Sequence, residues 1–143
     1  MDRYMRSAPF NMIHVCIDTY DHYSITGRCY NNTIKNVITF KDINYLFIEV
    51  DKIFDANGNP MSSQVKRSFN KNEPGQGTYK HRPPMVVSYE EFLKESGDVD
   101  TFDVVVKSRR ASSWQGYVFH AGKSYKFDEI LEMMKIVYEL LNM

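Results

Sequence analysis

Cysteine, excess charge of either sign and long apolar runs are all scarce in this chain. Two cysteines, Cys16 and Cys29, in 143 residues make no disulfide framework, and no CxxC or Cys/His cluster offers ligands to zinc. Eighteen basic residues balance eighteen acidic ones, so no global field draws the chain to nucleic acid or an anionic membrane; such attraction needs a local patch. No apolar run nears the ~18 residues of a membrane span, and the opening MDRYMRSAPFN lacks the apolar centre of a secretion signal. The expectation is a cytoplasmic protein that does not engage a membrane, with the sequon Asn31-Asn32-Thr33 unused. Phosphate-binding loops are missing too. Gly75-Gln76-Gly77 runs into Thr78-Tyr79-Lys80, which completes neither a dinucleotide fingerprint nor a P-loop.

Aromatic residues are plentiful: ten Tyr, nine Phe and one Trp. Together with 43% hydrophobic and 25% charged residues they describe a folded domain with large rings to bury. The chain also resembles itself. Residues 15–30 (VCIDTYDHYSITGRCY) align with residues 104–119 (VVVKSRRASSWQGYVF), so that Ser24-Ile25-Thr26-Gly27 falls on Ser113-Trp114-Gln115-Gly116. Downstream, Ile43, Leu46, Phe47, Val50, Ile53 and Phe54 follow the spacing of an amphipathic helix, as do Ile130, Met133, Met134, Val137, Leu140 and Leu141.

Alternation puts Ile13, Val15 and Ile17 on one strand face, and likewise Phe102, Val104 and Val106. For Ile25 and Cys29, or Trp114 and Val118, to share that face, each hairpin loop needs an odd number of residues, because a one-residue slip flips every side chain. Short third strands are expected near Val37–Phe40 and Ser124–Phe127, with Asn57-Gly58-Asn59-Pro60 ending the first helix. The expected fold is therefore α+β. It comprises two tandem β-β-β-α repeats related by a pseudo-twofold, each an antiparallel sheet covered on one face by a helix. The first repeat is residues 13–55 and the second 102–143, and all 143 residues form one domain because a unit of about 45 residues is too small alone. Trp114 is expected beneath the second helix. The connecting segment, 56–101, holds a candidate strand at Gln64–Phe69, a loop at Lys71–Pro84, and a short helix opened by the capping box Ser88-Tyr89-Glu90-Glu91.

No catalytic constellation emerges, and no enzyme or cofactor is expected. Asp18, Asp21 and His22 cluster at the first hairpin tip, where a polar turn accounts for them. His14, His81 and His120 have no partner identifiable from spacing, Cys29 reads as core, and Cys16 as an unreactive thiol on the opposite face. Two features stand out. The sheet face away from the helices is expected to carry Tyr20, Arg28 and Tyr30, then Lys107, Arg109, Tyr117 and Phe119: aromatics interleaved with cations, as base stacking requires. The linker 56–87 sets Lys66, Arg67, Lys71, Lys80 and Arg82 against Glu73, five positive charges to one negative, a net +4 that could clamp phosphates.

The run Ser113-Trp114-Gln115-Gly116, before an aromatic strand and a terminal helix, resembles a family of small bacterial proteins of unknown function with a similar SWQG strand. Their N-terminal hairpin is similar to Asp21-His22 through Gly27. The resemblance implies no activity. In architecture, strands-then-helix repeats look like the Pur-alpha/Whirly type of single-strand binder, although those have four strands per repeat and three are counted here. The expected function is a non-catalytic binding module for single-stranded nucleic acid on the open sheet face. The alternative is a protein-binding inhibitor or adaptor of the mobile-element kind, or a homodimer, using that same face.

Overall fold

A computed structural model describes residues 9–22, 24–58, 60 and 85–142. After a 3-10 turn at Pro9–Asn11 come strands β1 (Met12–Tyr20), β2 (Ile25–Tyr30) and β3 (Ile38–Phe40), then helix α1 (Ile43–Asn57). A one-turn helix, α2 (Tyr89–Phe92), precedes β4 (Asp100–Ser108), β5 (Gln115–His120), β6 (Lys123–Phe127) and helix α3 (Ile130–Leu141). Helix α1 begins where the Asp42 carboxylate accepts the Tyr45 N–H at 2.8 Å, and it stops at Gly58, whose φ of 65° is left-handed. Helix α3 takes its cap from elsewhere in the chain: the Ile130 N–H donates to Ser113 Oγ at 2.8 Å.

All six strands form one antiparallel sheet in the order β3-β2-β1-β4-β5-β6. This overturns the expectation of two tandem repeats related by a pseudo-twofold, each with its own helix-covered sheet. The reason lies at the centre. β1 and β4 would be exposed inner edges in a two-sheet arrangement, but they pair from Met12↔Val105 to Ile17↔Asp100 and satisfy each other's main-chain groups. The α+β composition stays, as one layer of sheet with α1 after its first three strands and α3 at its end. The candidate strand Gln64–Phe69 and the loop Lys71–Pro84 lie outside the described residues.

One face of this sheet carries a continuous core. Ile13, Val15, Ile17, Cys29, Phe102, Val104 and Val118 of the strands meet Leu46, Phe47, Val50 and Phe54 of α1 and Met133, Val137 and Leu140 of α3. Ile43, Ile130, Met134 and Leu141 pack at its margin, half-buried. Trp114 is buried, but against the first long helix rather than the second. Its ring sits edge-on to Phe47 (5.2 Å) and Phe54 (5.9 Å), and its indole N–H donates to Asp51 Oδ1 at 2.7 Å.

The hairpin parity is solved by bulges rather than by odd loops. Four residues, 21–24, join β1 to β2, and the register shifts between Ile17 and Thr19, leaving Asp18 as the extra residue. β4 shifts in the same way between Val106 and Ser108, with Lys107 extra. The residue opening each bulge pairs with a glycine: Ile17 with Gly27, and Val106 with Gly116. A Cβ on Gly27 would collide with the Cys16 carbonyl oxygen, and one on Gly116 with that of Val105.

Close approach of backbone to backbone, not turn geometry, demands these glycines. Gly116→Ala should therefore cost on the order of 2–3 kcal/mol, since main chain must shift. Gly122→Ala, left-handed at φ 79° but facing open space, should cost only about 1 kcal/mol. Urea midpoints of the two variants, compared with wild type, check the ranking.

Candidate functional site

On the sheet face away from α1 and α3, strand β1 presents Met12, His14 and Cys16, and this strand is buried on both sides from Met12 to Ile17. Register sets His14 directly opposite Asp103 of β4. The imidazole Nδ1 lies 2.6 Å from Asp103 Oδ1, and Nε2 lies 2.7 Å from the Glu95 carbonyl oxygen. A carbonyl oxygen can only accept, so Nε2 carries a proton; the carboxylate draws a second onto Nδ1. His14 is thus an imidazolium, 3% exposed. Burial opposes that charge, but the Asp103 hydrogen bond and charge, the Cys16 thiol and the Glu95 carbonyl outweigh it and raise the imidazole pKa from 6.5 to about 10.

The end of α2 and the segment after it roof this pair. Phe92 stacks on His14 (5.8 Å) and on Tyr30 (6.1 Å), and joins Met12, Val105 and Phe119 in a second, smaller apolar cluster. Arg28 of β2 fastens the roof. Its Nε and Nη2 grip the two Asp18 carboxylate oxygens at 3.0 and 3.1 Å. Nη1 donates to Tyr30 Oη and Glu95 Oε1, both at 3.1 Å, and Nη2 also donates to the Ser96 carbonyl at 2.8 Å. Those five bonds match the five N–H groups of a guanidinium. The Arg28 interaction holds the Asp18 carboxyl below its usual range, so the pair stays charged.

Cys16, His14 and Asp103 share this face in an order that invites comparison with a nucleophile–base–acid triad. The geometry does not support one. Cys16 is wholly buried, and both imidazole nitrogens are committed to acceptors, leaving no lone pair to take a thiol proton. Cys29, on the other face, is pushed up by burial and stays a thiol. Among the described residues no group of three or more His, Cys, Asp or Glu could hold a metal ion, and no helix is long and apolar enough to cross a membrane. At the first hairpin tip Asp21 caps its own turn, accepting the Ser24 N–H at 2.7 Å.

The stacking surface expected from the sequence is only partly assembled. Arg28 and Tyr30 are on the expected face, half-buried under the roof. Tyr117 is half-buried beside Phe119, which is itself buried, and Lys107 is exposed at its bulge. Tyr20 and Arg109 are on the other side of the sheet, because each lies beyond a bulge that shifts the alternation. Tyr20 pairs with Ile25 of the main core, rests on Tyr138 (6.0 Å) and donates to Asn142 Oδ1 at 2.9 Å. Arg109, 5% exposed, lies over the Phe54 ring and donates to the Pro60 carbonyl (2.7 Å) and Asp55 (2.9 Å). Lys66, Arg67, Lys80 and Arg82, offered as a phosphate clamp, lie outside the described residues, as does Lys71.

Asp103, Phe92 and Glu95 were not assigned to a site by sequence reasoning, and His14 was left without a partner. The available signal was Met12–Ile17, where six residues in a row carry no formal charge apart from His14. That pattern marks a strand covered on both faces. No family model, curated protein or solved structure matches the chain.

Two outcomes follow from these contacts. A group whose folded pKa is raised contributes stability that is complete below its unfolded pKa and is lost as pH climbs to the folded one. Wild-type stability should therefore fall between about pH 6.5 and 10, and His14→Gln should flatten that slope; urea midpoints across the range for both proteins test it. Arg109→Ala should lower stability by about 2 kcal/mol through lost hydrogen bonds and packing, its carboxylate partners being well hydrated. A surface binding residue in that position would leave the midpoint unchanged.

Proposed function

We propose that this chain is a non-catalytic binding module of the cytoplasm whose partner is a protein. The observation that carries this reading is a pair of apolar side chains left in solvent on one flank. Val37 before β3 and Tyr45 on α1, which line one groove, are 42% and 45% exposed. Large apolar groups gathered beside a sheet edge favour a protein surface over a polyanion. Two free, buried cysteines suit a reducing compartment.

Nucleic acid is disfavoured by the chemistry of the face once expected to bind it. Arg28 spends its donors on Asp18, Tyr30, Glu95 and Ser96, and Arg109 is on the other side. A strand laid across the sheet would have to displace the Phe92 roof before stacking on Tyr30.

Titrating labelled single-stranded oligonucleotides at low salt should give no saturable binding, and the purified protein should show no excess absorbance at 260 nm. A photo-crosslinking residue at Tyr45 should give a discrete protein adduct in cells, and one at Glu139 none. Binding that falls steeply with salt and is lost on Lys107→Glu would restore the nucleic-acid reading.

A further inference from the structure

The two edges of the sheet are not defended alike. Strand β6 closes one side with Lys123, Ser124 and Lys126 exposed, and charged side chains on an edge discourage further pairing. Strand β3 closes the other. It pairs only with β2, through Gly27↔Phe40, Arg28↔Thr39 and Cys29↔Ile38, and its residues Ile38-Thr39-Phe40 carry no charge. Its outward N–H and C=O groups have no strand partner among the described residues.

Beside this edge runs a shallow groove of about 510 Å³, with Val37, Ile38 and Thr39 on one wall and Tyr45, Glu49 and Ile53 of α1 on the other. Such a trough between an edge strand and a helix offers main-chain groups along one side and apolar side chains along the other. It is the arrangement in which an extended peptide adds to a sheet. Charge specifies the occupant further. The nearby carboxylates are engaged, Asp42 by the Tyr45 N–H and Glu49 by Lys52. Lys35 and Lys41 bracket the edge, are both exposed, and have no ion-pair partner among the described residues.

We infer that the β3–α1 groove receives an extended segment of a partner protein as a seventh strand, apolar at alternate positions and acidic at its ends. This rests on the protein-binding reading and specifies its mode. Alternate side chains of the added strand lean on Val37 and Tyr45, while its terminal carboxylates meet Lys35 and Lys41.

The test uses the full chain and a phage-displayed library of random nine-residue peptides. Enriched peptides should alternate apolar residues between acidic ends and shift the amide resonances of residues 36–40. Val37→Glu or Tyr45→Glu should weaken them about tenfold or more, as loss of an interface anchor does. Lys35→Glu with Lys41→Glu should invert the preference toward basic ends, whereas Lys123→Glu at the opposite edge should change nothing. Peptides whose resonance shifts fall elsewhere, or whose affinity ignores Val37 and Tyr45, overturn this site yet leave a protein partner standing. If the chain self-associates through β3 in sedimentation, the occupant is a second copy and the inference fails. Salt-sensitive oligonucleotide binding with no enriched peptide would defeat both this inference and the protein reading beneath it.

Discussion

Two β-bulges decide how the two outer hairpins of this sheet face relative to its central pair of strands. Side chains alternate with a period of two, so one extra residue at Asp18 and another at Lys107 carry all that follows in those strands to the opposite side. Without them Ile25 and Trp114 would leave the core that Ile17 and Val106 begin. With them Tyr20 and Arg109, polar-tipped and long, are drawn inward to Asn142, Asp55 and Pro60. The glycines opposite are part of the same device, because only a residue without Cβ lets the neighbouring carbonyl come so close.

Seen from these bulges, the run Ser113-Trp114-Gln115-Gly116 is architecture. Ser113 caps α3. Trp114 locks α1 through Phe47, Phe54 and Asp51. Gln115 holds the turn before it, accepting from Ser108 Oγ at 2.7 Å and the Arg110 N–H at 2.8 Å and donating to the Arg110 carbonyl at 3.1 Å. That support is needed, since Ala111 and Ser112 both take positive φ, which L residues adopt at a cost. Three adjacent side chains and the glycine after them tie the hairpin, both long helices and the bulge together.

This also explains how far the sequence could be read. Helix faces were legible because Leu46, Phe47, Val50 and Phe54 repeat at a period that nothing in the chain interrupts, and Asn57-Gly58 states its own stop. Strand faces were legible except just past the bulges, at Tyr20 and Arg109, since an extra residue leaves no mark in an alternating pattern except its glycine partner. The joining of β1 to β4 was hidden for another reason. Pairing between strands some ninety residues apart follows from which edges need covering, and local periodicity carries no such information. The roof of Phe92, Glu95 and Ser96 depends on that pairing in turn, so His14 showed no partner in the linear chain.

The buried His14–Asp103 pair makes sense as a device of register more than of raw stability. Removing two charges from water offsets much of their attraction, and an apolar pair of equal volume would commonly do as well energetically. What an apolar pair would not do is discriminate. Sliding β4 by one residue would set His14 against Phe102 or Val104 and carry Asp103 to the helix-covered core, leaving an ion stranded on each side. Because the middles of β1 and β4 are runs of buried apolar residues, from Met12, Ile13 and Val15 to Val104, Val105 and Val106, shape alone separates their registers poorly. One charged pair, tied also to the Glu95 carbonyl, singles out the alignment in which both bulges, the roof and the core come together.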